Sequence, residues 1–400
     1  MKYVFLISFF KSILAFVPFL LLPMITAKLD IEDFGRYSLA QVIVTILLPF
    51  ICLNIQTYQR KKSVENLNDR LHYLLTSLVL IFFSSTILIV MYLVFSLFFT
   101  PPTFSYNEWL IIAFASLSVA TLTSVETYFS STLDYKKIMI SLTSTTFFIW
   151  GGVYLLIIRE GIWLGRLYSQ LFYGLALFGF VIYCIWKIKK AKFDLLVGSL
   201  LDGVKFGFPL AVVALLGLVT LHLDKLIVSK MFDATEIGYY MGISQIASLI
   251  MFLSQSLLFA LEPLIYKKPI AKIYKIIILT ISLIAFFSIL MFYFRYYLFN
   301  LLINQTLGEY SFSFNMLIIA NFLKAMCLLI MPFLIKINLH RNLHKSYCLI
   351  LLIYFAMGLL LADKFGVLGL SIGFLIMNLL VLAYLASVVY FYIKRQKFYG

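Results

Sequence analysis

The chain has 400 residues, of which 63% are apolar and only 12% charged, and its mean hydropathy is +1.02. Soluble domains carry about a quarter charged residues, so this chain has too few polar groups to cover a water-facing surface. Its net charge of +15 raises the question of a nucleic-acid partner, but the basic residues fall between apolar runs, so no nucleic acid is expected.

About 20 apolar residues cross a bilayer core. Twelve such spans are predicted, at 4–27, 37–58, 72–99, 108–132, 138–158, 162–186, 204–229, 239–265, 273–298, 311–335, 346–362 and 366–393. An all-α polytopic membrane protein is the expected class, since an outer-membrane barrel would show alternating segments of roughly ten residues. The first span could pass for a signal peptide. Lys11 interrupts any short apolar region, however, and apolar sequence runs on to Ala27, so an uncleaved helix is expected. Lys11 itself faces a cavity or snorkels to the inner headgroups.

After the first span comes DIEDFGRY, Asp30 to Tyr37. The second half holds DATEIGYY, Asp233 to Tyr240. Both read D-x-x-[DE]-[FI]-G-x-Y. Gly35 and Gly238 are expected to end a helix in the left-handed conformation or to make a tight turn. Asp33 and Glu236 are expected to cap the following helices. Tyr37 and Tyr240 suit the headgroup level, where one end of the ring is wet. The paired acids Glu32 and Asp33 also admit an enzymatic reading, as in polytopic glycosyltransferases that use lipid-linked sugars. The shortness of the loop and the single acid of the second copy favour a structural turn.

A charge inside a span is costly and usually faces a cavity or a partner. Glu126, in the fourth span, either pairs with a basic group or carries a proton, and is a candidate for ion coupling. The seventh span is the weakest because it contains His222, Asp224 and Lys225. The last two form a pair at the outer interface or belong to a cavity, and Asp224 is the second candidate for ion coupling. Gln255 lies in the eighth span, and Glu262 is expected to make a surface ion pair with Lys267 or Lys268. In the tenth span Asn321 accompanies Lys324, which has no easy route to water and is expected to face a cavity. Asn378 is deep in the twelfth span. His340 and His344 have metal-ligand spacing, but Arg341 and Lys345 beside them point to a solvated basic turn, so no metal is expected. Cys52, Cys184, Cys327 and Cys348 lie in or at the ends of apolar runs without C-x-x-C spacing, and read as packing residues. No phosphate-binding loop is present, no cofactor is expected, and no catalytic residues are assigned.

With the N-terminus inside, 21 of the 32 Lys and Arg fall in inner segments and 7 in outer ones. That bias places both termini in the cytoplasm and accounts for most of the +15 as topology and contact with anionic headgroups. The offset of 203 residues that aligns the two acidic turns also brings Gly165 within one residue of Gly369. Each half then holds six spans, so the halves, 1–195 and 196–400, are expected to be parallel repeats.

The acidic turn with F-G-x-Y, the stretch LHLDKLIVSKMFDATEIGYY, and Glu262-Pro263 followed by Tyr266-Lys267-Lys268 together resemble the O-antigen and oligosaccharide flippases (Wzx-type) of the multidrug/oligosaccharidyl-lipid/polysaccharide exporter superfamily. The resemblance implies twelve transmembrane helices in two six-helix bundles around a central cavity that opens alternately to each side. It implies an undecaprenyl-pyrophosphate-linked oligosaccharide as cargo, moved from the inner to the outer leaflet of the bacterial cytoplasmic membrane. A polysaccharide polymerase and a chain-length regulator become candidate partners besides membrane lipids. Lys11, Lys225 and Lys324 would pair the pyrophosphate, while Asp224, Gln255, Asn321 and Asn378 complete the candidate cavity set. The alternatives are a cation-coupled drug exporter of the same superfamily, expected to show a more acidic cavity, and a membrane glycosyltransferase or polymerase, disfavoured by the short outer loops.

Overall fold

The computed structural model describes residues 17–66, 69–96, 104–131, 135–187, 193–255, 257–258, 270–336 and 341–399. Among them there are helices and no strands. The chain divides into two compact units, Met1–Val219 and Thr220–Gly400.

The first unit holds α1 (Val17–Thr26), α2 (Ile31–Cys52), α3 (Ile55–Glu65), α4 (Arg70–Ser96), α5 (Tyr106–Ser131), α6 (Tyr135–Val153), α7 (Gly165–Lys187) and most of α8 (Phe193–Met231). A π-helical turn, Tyr154–Arg159, follows α6. The second unit holds the end of α8, then α9 (Ala234–Ala247), α10 (Ile270–Tyr293), α11 (Arg295–Ile303), α12 (Ser311–Lys336) and α13 (Arg341–Tyr399). Among the described residues, seven helices are long and apolar enough to cross a membrane, or eight if the bent pair α10–α11 is one span. This is a multi-pass membrane protein.

Each unit is organised around one helix lined with small residues. In the first, α5 packs against α2, α3, α4, α6 and α7, and its Ala115, Ser116, Ala120 and Ser124 are fully buried. In the second, α12 packs against α9, α10, α11 and α13 through buried Ala320 and Ala325. Lipid tails are as apolar as leucine, so helices in a membrane associate through close packing, which small residues permit. The two hub helices occupy corresponding places in the repeat.

The repeat is also visible in two breaks. Gly161 (φ +72°) and Gly366 (φ +61°) are left-handed; the second divides α13 into arms at 341–365 and 367–399. A few residues after each, a second glycine meets the helix before the break. A Cβ on Gly165 would lie 2.8 Å from Cγ1 of Ile157, and one on Gly369 would run into the carbonyl oxygen of Leu361. A side chain at either position would have to displace its neighbours.

Between α10 and α11 the chain turns by 76° at Phe294. Around the bend Tyr293, Phe294, Tyr296 and Tyr297 are all exposed. The Arg295 guanidinium lies 4.9 Å from the Phe292 ring and 4.6 Å from the Tyr296 ring.

The acidic turns differ from expectation. They are helix starts. Asp30 and Asp233 are the N-caps, with φ, ψ of −66°, 171° and −72°, 169°, and their carboxylates accept from the backbone N–H of Asp33 and Glu236 at 2.7 Å in both cases. The Glu236 carboxylate accepts in return from the Asp233 backbone, completing a reciprocal capping box. Asp33 and Glu236 are therefore the third helical residues, and the N-caps are Asp30 and Asp233, with Glu236 closing the box from inside its helix. Gly35 and Gly238 lie inside α2 and α9, buried and helical, and neither has positive φ. Tyr37 and Tyr240 are also buried, not at a wet interface. The capping box sets the start of each helix five residues ahead of its glycine, which removes the left-handed role.

Other bounds moved as well. The seventh predicted span, 204–229, is the 39-residue α8, because Asp202 and Lys205 are compatible with helix and do not interrupt it. The second span ends at Cys52, where Leu53 and Asn54 adopt left-handed geometry before α3.

Candidate functional site

The deepest charge of the second unit is Asp224 on α8. Its side chain is 1% exposed. One carboxylate oxygen accepts from the Tyr240 hydroxyl on α9 at 2.8 Å and from the Lys225 ammonium at 3.0 Å. The other oxygen is buried and has no hydrogen-bond partner among the described residues. The capping box places Tyr240 two turns into α9, and that is how the second copy of the motif reaches α8. Expected as an alternative, a pair at the outer interface does not fit a carboxylate buried to this degree.

Around this centre the unit gathers further polar groups. Lys324 on α12 is half-buried, with its ammonium 5.2 Å from the centroid of the Phe374 ring, a cation–π contact. It lies within electrostatic reach of both Lys225 and Asp224. His222 feels the same three charges, and its Nδ1 is buried without a partner. Tyr354 is fully buried with an unpartnered hydroxyl, feels the Asp224 charge, and packs on Phe374 at 5.8 Å. Gly358 and Gly373, one on each arm of α13, make room for its ring: a Cβ on either would stand 3.5 Å from it. Tyr354, His222 and Tyr240 were missed in the sequence as members of the constellation. The signal for Tyr240 was its fixed place in the repeated motif; Tyr354 has none short of the fold.

With one carboxylate against two ammonium groups, the cluster carries a net charge of +1 before any contribution from His222. An excess positive charge that no further carboxylate balances among the described residues of the cluster calls for water or an anion.

The remaining sequence candidates are placed as follows. Asn321 and Asn378 are buried, but each spends an amide N–H on its own helix, to Leu317 O at 2.9 Å and Phe374 O at 2.7 Å. Gln255 is exposed at the end of the described part of its span, and Glu126 on α5 is half-buried. Lys11, Glu262, Lys267, Lys268 and His340 lie outside the described residues. Cys52 and Cys327 are buried in apolar surroundings, in keeping with a packing role.

The first unit has its own polar groups at the matching motif. The Tyr37 hydroxyl accepts from Arg166 Nη1 on α7 at 3.2 Å, and the Arg166 guanidinium lies 4.6 Å from the centroid of the Trp150 ring. Gln170 donates to Gln41 Oε1 at 3.2 Å. Arg36 is bound by both oxygens of Glu108, at 2.9 and 3.1 Å, and lies over Trp163.

Residues 1–268 match the model of a family described as polysaccharide biosynthesis protein. No curated protein matches the chain by sequence. Among solved structures, the Vibrio cholerae MATE transporter VcmN in its bent form has the same fold, with a TM-score of 0.55 and 12% identity over 96% of both chains. A point mutant of that transporter also gives 0.55 and 12%, covering 97% of this chain and 98% of the other. A third structure, described as protein A, reaches a TM-score of 0.63 at 13% identity, over 97% of this chain and 95% of its own. A duplicated helical unit built on capped helix starts, broken at matching glycines and matched over two thirds of its length by one family model, belongs to the polysaccharide biosynthesis protein family.

Proposed function

We propose that this protein is a flippase that carries undecaprenyl-pyrophosphate-linked oligosaccharide from the inner to the outer leaflet of the bacterial cytoplasmic membrane by alternating access. The observation that carries the reading is the excess positive charge of the Asp224–Lys225–Lys324 cluster inside a membrane-spanning unit. A pyrophosphate cannot cross hydrocarbon unaided, because each of its polar groups would be desolvated. Cations held at depth supply charge-assisted partners for it, and no covalent step is needed. The family description supports a saccharide cargo, and the MATE fold supports transport in place of catalysis.

The arrangement this reading requires is twelve transmembrane helices in two six-helix bundles, with both termini cytoplasmic. A drug exporter of the same superfamily is the competing function. It would be served by a site in which acids outnumber bases, the reverse of the balance here.

Two measurements test the proposal. Depletion of the protein should make undecaprenyl-linked oligosaccharide accumulate on the cytoplasmic leaflet; unchanged outer-leaflet delivery in the depleted strain would sink it. In a cysteine-free background, single cysteines near Lys61 and Lys189 should label from the inside and those near Glu160 and Gly308 from the outside. A swap between the two sets would refute the orientation.

A further inference from the structure

The polar groups of the first unit converge on the seam between α2 and α7. Tyr37 meets Arg166, and four residues on, Gln41 meets Gln170. The pairs step together, so the helices run in the same sense and the two side-chain contacts that link them are rungs one turn apart. Among the described residues, four buried polar atoms of these two helices have no hydrogen-bond partner: Arg166 Nε, Gln41 Nε2, Gln170 Oε1 and, next to Tyr37 in α2, Ser38 Oγ. Three of them can donate. Gln170 is only 6% exposed, so water at the surface does not satisfy it.

The charge on Arg166 is the second observation. Arg36, the residue before Tyr37, is neutralised by Glu108. Arg166 has no carboxylate partner among the described residues; it has the Tyr37 hydroxyl and the Trp150 face. Nor does it serve its own helix. It sits in the first turn of α7, where the helix dipole disfavours a cation. Together the Arg166 guanidinium with a spare N–H, the Gln41 amide and the Ser38 hydroxyl offer several unspent donors on these two helices. That set is complementary to a group with two or more acceptor oxygens.

We propose that the Arg166–Gln41–Ser38 seam is an oxyanion site, which takes a carboxylate or phosphate group of the cargo. Gln170 orients the Gln41 amide and accepts from a neighbouring hydroxyl of the same ligand. The proposal rests on the reading of the protein as a carrier of lipid-linked saccharide, and it adds a specificity determinant: the site favours cargo with an acidic group over neutral sugar.

Trp150 is a built-in reporter, because its ring faces the Arg166 guanidinium. The full-length protein carrying Trp109→Phe, Trp163→Phe and Trp186→Phe is placed in phosphatidylcholine nanodiscs and titrated with inorganic pyrophosphate, glucuronate and glucose. A saturable change in Trp150 emission is expected with pyrophosphate or glucuronate and none with glucose. Response to pyrophosphate identifies the carrier phosphate as the ligand, and response to glucuronate identifies an acidic sugar. Arg166→Gln should weaken the responding anion about tenfold or more, the usual scale for losing a charge-assisted contact. Gln41→Leu should weaken it less, and Arg166→Lys should fall between, because the charge remains while the fork is lost. These two keep the test open if Arg166→Gln does not yield monodisperse protein. Silence with all three solutes, or an undiminished response in Arg166→Gln, overturns the site. A response triggered by phosphatidylglycerol nanodiscs alone makes the ligand a lipid headgroup and overturns its assignment to cargo. Because emission reports binding and not translocation, a failed translocation assay with a positive titration would count against the flippase reading and leave the oxyanion site standing.

Discussion

The two copies of the capping motif present a tyrosine to opposite charges. In the first unit the Tyr37 hydroxyl accepts from Arg166; in the second the Tyr240 hydroxyl donates to Asp224. The backbone around them is nearly the same, with caps whose ψ angles differ by 2° and whose hydrogen bonds are equally long. A hydroxyl both donates and accepts, so a duplicated helix start could keep its tyrosine while the partner changed sign. The lesson is that the repeat preserves the scaffold, and the chemistry entered through the residues the tyrosine meets. Lys324 makes the same point, since its counterpart at the repeat offset is Thr121, which donates to Leu117 O within its own helix.

The sharpest way to break this comparison is at Asp224. Asp224→Ala strands the Lys225 charge and the Tyr240 hydroxyl, and breaking a buried pair costs about 3 kcal/mol. Thermal unfolding in detergent should show a clear loss of stability together with loss of export. An Asp224→Ala protein as stable as the parent would mean that the carboxylate is not the anchor of the second unit.

Next is Lys324. If the cations of the second unit hold the cargo, Lys324→Ala should lower export about tenfold, equivalent to roughly 1.4 kcal/mol of lost interaction, at unchanged membrane abundance, and Lys324→Arg should restore part of it. Normal export by Lys324→Ala removes the asymmetry on which the functional reading depends.

The paired glycines should differ in degree. Gly369→Ala drives a Cβ into a backbone carbonyl, whereas Gly165→Ala meets side-chain carbons farther off. Overpacking costs typically 1–3 kcal/mol, by the order of magnitude for such sites, and Gly369→Ala should lie at the upper end. A ranking by unfolding temperature in which Gly165→Ala is worse would show that the two breaks are not equivalent.

The smallest effects should be equal ones. Asp30→Ala and Asp233→Ala each lose one cap, about 1 kcal/mol, and the two should agree within error if the starts are true copies. Glu32→Gln combined with Asp33→Asn should leave export nearly intact, because neither side chain is the cap. Complete loss of export by that double variant, at normal protein levels, would revive a catalytic role for the acids.

Much of the scaffold was legible in the sequence, because hydropathy and repeated motifs record it directly. Predicted spans at 72–99, 108–132 and 311–335 lie within a few residues of α4, α5 and α12, and the gap between the last two predicted spans, 363–365, ends one residue before the left-handed Gly366. The role of the acidic turn was not legible in the same way. Reading glycine as a helix end was reasonable until the aspartate four residues before Asp33's successor in the chain, Asp30, proved to start the helix instead. The charged part of the site was partly visible, since Asp224, Lys225 and Lys324 stand out against apolar neighbours. The α2–α7 seam was not. Glutamine and tyrosine leave little trace in a hydropathy profile, and Arg166 near a span end passes for a snorkelling side chain. The trace that was there is the shared spacing of four between Tyr37 and Gln41 and between Arg166 and Gln170, which puts each pair on one helix face.

The bend at Phe294 has a consequence for the lipid. A straight span can slide or tilt to suit a thicker or thinner bilayer. A helix turned through 76° and ringed by exposed Tyr293, Tyr296 and Tyr297 has little such freedom, since aromatic rings prefer the boundary between headgroup and hydrocarbon. Such a collar suits a waterline on the second unit. Mismatch at that point would then fall to the membrane, through local thinning or thickening, and acyl-chain length would become a variable that acts on this protein from outside its own sequence.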